Sequence, residues 1–116
     1  VERSRGLGDV YKRQFQYTMD ASIVLGKMNK KFDIIFLDAD KKNYVNYLKY
    51  IPNILNKNGI LIADNVLWYG KVLGKISETD QETKAIHQFN KKLKNSKQFQ
   101  TIILPLRDGI SISIKL

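Results

Sequence analysis

A chain of 116 residues can form one small domain or part of a larger one. With 43% hydrophobic and 27% charged residues it is ordinary globular sequence, and no apolar run approaches the length of roughly eighteen residues that a membrane span needs. Cysteine is absent, which excludes disulfides and thiolate metal sites, and the charged start lacks the apolar core of a signal peptide, so a cytoplasmic location is expected.

The net charge of +9 raises a second possibility, a basic α/β module that holds nucleic acid or an acidic partner without catalysis. The lysines are scattered, however, from Lys30 and Lys31 through Lys57 and Lys71 to Lys91, Lys92 and Lys94. They form no stripe with interleaved aromatics, so a solvated surface is expected, with neither nucleic acid nor membrane as partner.

Residues 1–14 have neither helical nor strand periodicity and read as a non-native or disordered tail. Removing their four basic and two acidic residues lowers the charge from +9 to +7. Gly6-Leu7-Gly8 is a fragment of a phosphate-loop pattern, with no strand before it and no third glycine. Phe15–Met19 reads as a short strand, and Asp20 as the cap of a helix over Ala21–Met28. The run Ile34-Ile35-Phe36-Leu37, inside Phe32–Leu37, predicts a strand buried on both faces. Tyr44, Tyr47, Leu48, Ile51, Ile54 and Leu55 then recur at steps of three and four, as on an amphipathic helix. Pro52 is expected to kink that helix or spoil its last turn, and Asn58-Gly59 to end it.

Ile60–Ala63 predicts a second buried strand. After a loop, Thr79-Asp80-Gln81-Glu82 has the form of a capping box, opening a helix with Ala85, Ile86, Phe89 and Leu93 on one side. Phe99–Leu104 and Ile110–Leu116 read as a closing pair of strands, joined through Pro105 and the turn signal Asp108-Gly109. In the last strand Ile110, Ile112, Ile114 and Leu116 alternate with Ser111, Ser113 and Lys115. Two apolar strands joined by a helix imply an α/β fold with parallel pairing.

In such folds chemistry sits past the carboxyl ends of the strands. Both apolar strands end in acid, Leu37-Asp38-Ala39-Asp40-Lys41 and Ile62-Ala63-Asp64-Asn65. Adjacent parallel strands would gather Asp38, Asp64 and Asn65 into an all-oxygen set suited to Mg²⁺ or Ca²⁺. The competing reading makes these acids helix caps, and spacing alone leaves both open. Lys41 is a candidate general base beside such a cation, or a solvated lysine. Trp68 and Tyr69 can wall a pocket for a flat substrate, or simply pack. His87 lies off its helix's apolar stripe with no partner ligand and reads as solvated.

Phe32-Asp33-Ile34-Ile35-Phe36-Leu37-Asp38-Ala39-Asp40-Lys41-Lys42-Asn43-Tyr44 closely resembles a motif of the caffeoyl-CoA and catechol O-methyltransferase family. Asn58-Gly59-Ile60-Leu61-Ile62-Ala63-Asp64-Asn65-Val66-Leu67-Trp68-Tyr69-Gly70 resembles the next motif, and Leu104-Pro105-Leu106-Arg107-Asp108-Gly109-Ile110 the last. The resemblance implies a partial Rossmann-like class I methyltransferase fold: strands 3 to 7 of a seven-stranded sheet ordered 3-2-1-4-5-7-6, the last strand antiparallel. It implies a domain half over residues 15–116, from an enzyme about twice as long that forms a homodimer. It implies S-adenosylmethionine as cofactor, held in part by Asp20, Ala21, Asp38 and Asp40. Asp38, Asp64 and Asn65 would hold the divalent metal and Lys41 would be the base. The substrate would be a catechol-like vicinal diol, against Trp68 and Tyr69. Tyr69 replaces a different residue of the plant enzymes, which speaks against a plant-like substrate. The family's glycine-rich loop and ribose-binding acid belong upstream of Phe15. Without them the chain is expected to leave strand 4 as a bare apolar edge, to self-associate through it, and not to bind the cofactor.

Overall fold

The computed structural model describes residues 14–116, and the expectations for the preceding tail, Gly6-Leu7-Gly8 included, lie outside them. In chain order the elements are α1 (Ala21–Lys27), β1 (Phe32–Leu37), α2 (Tyr44–Leu48), α3 (Ile51–Ile54), β2 (Leu55–Asp64), α4 (Gln81–Asn95), β3 (Phe99–Leu104) and β4 (Ile110–Lys115). Short 3-10 turns at Lys41–Asn43 and Lys71–Leu73 follow the two parallel strands.

The sheet has the order β1-β2-β4-β3. β1 and β2 run parallel, while β4 pairs antiparallel with both β2 and β3. This is the 4-5-7-6 portion of the expected map. Strand 3 is not formed: Phe15–Met19 carries no strand, and Phe15, Tyr17 and Met19 are exposed. A strand exists only through a ladder partner, and none lies beside this segment among the described residues.

Asp20 caps α1 as expected, its carboxylate accepting from the Ser22 N–H at 2.9 Å. The amphipathic segment after β1 is broken in two. α2 stops at Leu48, and α3 restarts with Pro52 in its first turn, where the missing N–H costs nothing. Leu55 already belongs to β2, and Lys115 Nζ donates to the carbonyls of Pro52 and Leu55 at the end of α3. Asn58-Gly59 therefore does not end a helix. It lies in a bulge of β2 where the register jumps between Phe32↔Leu55 and Ile34↔Ile60. Asn58 takes the left-handed φ of 66°, and a Cβ on Gly59 would lie 2.7 Å from Asn56 O. The cap of α4 is Asp80 rather than Thr79: its carboxylate accepts from the Thr83 N–H at 3.2 Å and the Thr83 hydroxyl at 2.6 Å.

The core gathers on one face of the sheet. Leu37, Leu61, Ala63 and Phe99 pack with Tyr44, Tyr47 and Ile51 and with Phe89 and Leu93 of α4. The expectation that β1 is buried on both faces is not met, because Ile34 and Phe36 are each 61% exposed. Register places Ile34, Phe36, Ile60, Ile62, Ile112, Ile114 and Ile102 together on the opposite face. No helix of the described residues shields Ile34, Phe36, Ile102 or Ile114, so that face keeps apolar side chains in solvent. β4 consequently turns its serines inward: Ser111 and Ser113 are buried, with Ser113 Oγ 2.8 Å from Thr101 Oγ1.

Candidate active site

β1 and β2 are in register through Leu37↔Ala63, so Asp38, just past β1, and Asp64, the last residue of β2, come side by side at the same end of the sheet. One side chain joins the two exits. Tyr44, fully buried at the start of α2, sends its hydroxyl proton to Asp64 O at 2.9 Å, with Leu37 O at 3.3 Å. The same oxygen accepts from Lys41 Nζ at 2.5 Å. Burial, then the carboxylates of Asp38 and Asp64, push the Tyr44 hydroxyl well above the usual tyrosine range. It therefore stays protonated, able to donate and accept together.

Lys41 is only 8% exposed, although lysine ordinarily keeps its ammonium in water. Its Nζ lies 3.5 Å from Asp38 Oδ1 and 4.5 Å from the centre of the Tyr44 ring. The solvated-lysine alternative does not describe it. Nor does the helix-cap reading describe the acids: the turn after β1 begins at Asp40, which makes no side-chain capping bond, and Asp64 Oδ1 accepts from the adjacent Asn65 N–H at 2.8 Å.

Among the described residues no three His, Cys, Asp or Glu side chains form a cation site, and the set here is two carboxylates and one amide. All three donors are hard oxygens, and a carboxylate of the set already faces a cation in the Lys41 ammonium. That chemistry fits Mg²⁺ or Ca²⁺ and suits a soft metal poorly.

Beside this rim lies a cavity of about 330 Å³. Ala21 and Asp38 line it, together with Met19, Leu25, Ile35 and Tyr47. The other two expected cofactor residues, Asp20 and Asp40, do not line it, and their carboxylates are already engaged, Asp20 by Ser22 and Asp40 by the Tyr47 hydroxyl at 2.5 Å and by Asn43 Nδ2. The Tyr47 bond holds the Asp40 carboxyl below its ordinary range, and the Ser22 hydroxyl does the same for Asp20. Burial first, then Asp40, pushes the Tyr47 hydroxyl up to about 12.

Trp68 and Tyr69 sit in the loop after Asn65 and are not among the residues that line this cavity. Their rings meet edge on at 5.3 Å, with Tyr69 78% exposed. Both have left-handed backbone, φ 49° and 57°, as does Asn65 at 61°. Asp108 reaches across from the turn between β3 and β4, accepting from the Tyr69 N–H at 2.6 Å and from Asn65 Nδ2 at 3.3 Å. His87 is exposed, as expected.

Tyr44, Tyr47 and Asp108 emerge as site residues only in the folded chain. By spacing the tyrosines are apolar helix positions, but a buried tyrosine needs a partner for its hydroxyl. Tyr44 three residues after Lys41, and Tyr47 seven after Asp40, were the available signals.

The sequence pattern of the O-methyltransferase family matches residues 12–116. The chain belongs to the O-methyltransferase family. It is 32% identical over 99 residues to the probable caffeoyl-CoA O-methyltransferase 1 of Dictyostelium discoideum, a match covering 85% of this chain and 43% of that protein. It is 31% identical over 99 residues to caffeoyl-CoA O-methyltransferase 2 of Populus trichocarpa, covering 81% of this chain and 40% of the relative. The chain thus spans less than half the length of these curated relatives. The solved structure of an SAH-bound methyltransferase from Podospora anserina superposes with a TM-score of 0.77 at 24% identity, over 97% of this chain and 54% of that one, a likeness of fold. No helix among the described residues is long and apolar enough to cross a membrane.

Proposed function

We propose that residues 15–116 are the carboxyl-terminal half of an S-adenosylmethionine-dependent O-methyltransferase acting on one hydroxyl of a catechol-like diol. In this reading the whole enzyme is a cytoplasmic homodimer. The observation that carries it is the parallel register that sets Asp38 beside Asp64 and Asn65, next to a buried lysine. Family membership supports the reaction type, and the names of the two relatives support a small hydroxylated substrate.

Asp38, Asp64 and Asn65 would hold a divalent cation, Mg²⁺ first and Ca²⁺ second, which when bound supplies a Lewis acid and a template for two neighbouring oxygens. S-adenosylmethionine, when bound, supplies a methyl carbon on positively charged sulfur. The cavity lined by Ala21, Leu25, Asp38 and Tyr47 would be its place in this half of the fold, with Asp20 and Asp40 next in sequence to the lining residues Ala21 and Ala39. Tyr47 keeps the Asp40 carboxylate ionised and aimed, ready to accept from an ammonium or hydroxyl group. Lys41 Nζ, held by the Tyr44 hydroxyl, would take the proton from the substrate hydroxyl when it stands as the neutral amine, becoming the ammonium that pairs with Asp38. Trp68 and Tyr69 offer a wall to a flat ring, and fixed geometry supplies much of the remaining rate.

The test is Asp64→Ala in the full-length enzyme. Mg²⁺-dependent turnover should be lost while calorimetric affinity for S-adenosylmethionine stays close to that of the wild type. Full turnover in the variant, or in excess chelator, overturns the reading.

A further inference from the structure

We propose that Asp108 is a positioning residue for the acid rim, fixing the direction of the Asn65 amide and holding the Trp68–Tyr69 loop in place. The inference rests on the cation-site reading above. It concerns a residue some forty positions away in sequence, on the β3–β4 hairpin.

The chemistry is directional. An ionised carboxylate only accepts hydrogen bonds, so the end of the Asn65 amide that faces Asp108 must be its NH₂. Asn65 Oδ1 is thereby turned away from Asp108, and among the described residues nothing donates to it. An asparagine without such a neighbour can rotate either end toward a cation, and only the oxygen is a ligand. A long bond of 3.3 Å suffices for this choice, because the alternative orientation sets oxygen against oxygen.

The second Asp108 oxygen holds the backbone. Tyr69 N–H donates to Asp108 Oδ1 at 2.6 Å, Leu67 N–H to Asp108 O at 2.9 Å, and Val66 N–H to Gly109 O at 3.2 Å. Between these stitches Asn65, Trp68 and Tyr69 all keep left-handed φ, a conformation that non-glycine residues hold only when their surroundings impose it. The turn that presents Asp108 is itself special, with Arg107 at φ 53° and Gly109 at φ 84° on either side. One carboxylate thus sets both a ligand's orientation and the aromatic wall beside it. Outer partners that orient ligands in this way typically govern metal affinity by 10- to 100-fold.

The experiment uses the full-length enzyme and Mn²⁺ alone as probe, with free Mn²⁺ read by its paramagnetic resonance, without substrate or cofactor. Wild type, Asp108→Ala, Asn65→Ala and the double variant are compared. Asp108→Ala should weaken Mn²⁺ binding by about tenfold or more. In the Asn65→Ala background the same change should do nothing further, which general loosening of the fold would not produce. Asp108→Asn guards against misfolding. Its amide oxygen still accepts from the Tyr69 N–H, but its NH₂ no longer excludes Asn65 Oδ1, so Mn²⁺ should weaken with the melting temperature unchanged. Unchanged Mn²⁺ affinity in both Asp108 variants, or equal weakening with and without Asn65, overturns the inference while leaving the cation site standing. A wild type that binds no Mn²⁺ overturns the cation site itself, and the inference with it.

Discussion

After β1 the chain passes through Asp38 and Asp40 into a regular 3-10 turn and then α2, whereas β2 ends at Asp64 and the chain passes through Asn65 into a loop with three left-handed non-glycine residues. Each exit has an acid at the carboxyl end of an apolar strand, Asp38 just past β1 and Asp64 closing β2. The first is held largely by its own residues, through Lys41 to Asp38, Lys41 to Tyr44, and Tyr47 and Asn43 to Asp40. The second is held from elsewhere, by Asp108 and Gly109 of the β3–β4 turn and by Asn90 of α4, whose Nδ2 donates to Val66 O at 2.8 Å. Contacts three to seven residues apart survive in any frame that keeps the turn. Contacts across forty residues exist only once the sheet is assembled, so the second exit depends on the whole fold.

The largest test of this contrast falls on the locally held loop. Lys41→Met keeps the aliphatic stem and deletes the amine, so kcat of the full-length enzyme should drop by roughly 10²–10⁴. Affinity for S-adenosylmethionine should hold, and the deficit should narrow as pH rises and hydroxide takes over proton removal. A kcat unchanged near neutral pH would reduce Lys41 to a packing residue.

Gly109→Ala attacks the other loop from a distance. A Cβ there would lie 2.4 Å from Leu67 Cγ on a backbone with φ 84°. Left-handed strain and overpacking together should cost about 2–5 kcal/mol in urea unfolding. A cost under about 1 kcal/mol would mean that the loop after β2 can move away from the hairpin freely.

Tyr44→Phe asks whether the two exits are coupled. It keeps the ring against Phe89 at 5.1 Å but strips a donor from the Asp64 carbonyl and an acceptor from Lys41. Stability should fall by about 1–3 kcal/mol, and amide exchange should quicken in both loops together. Quickening confined to the Lys41 turn would show that the exits are independent.

The smallest effect serves as a control far from the rim. Asp80 caps α4, and its hydrogen bonds from Thr83 hold its carboxyl below the ordinary 3.8. A lowered folded-state value means that the carboxylate stabilises the fold above 3.8 and loses that contribution as pH falls through the lowered value. Asp80→Ala should therefore melt earlier than wild type at neutral pH, with the gap closing in acid. A gap that stays constant into acid would assign the effect to packing instead of charge.

Much of the fold was legible from local pattern. The apolar runs gave β1 and β2, the three-and-four spacing gave α4, and period-two alternation gave β4, because backbone geometry imposes those periods on any chain. The acids of the candidate rim were legible for a related reason: an acid directly after a buried parallel strand must emerge at the carboxyl edge. Errors came where two local signals lay side by side, as when Asp80 rather than Thr79 capped α4.

What the sequence determined by itself was which residues prefer burial and which atoms can donate or accept. Tertiary structure decided which face of the sheet is covered, and so put Ser111 and Ser113 inside while Ile34, Phe36 and Ile114 face outward. It decided that Phe15–Met19 forms no strand, because a ladder needs a neighbour. It also brought Tyr44 under both strand ends and Asp108 against Asn65 and Tyr69. Hydropathy and propensity act within a few residues, whereas these contacts come into being only when segments distant in sequence close on one another.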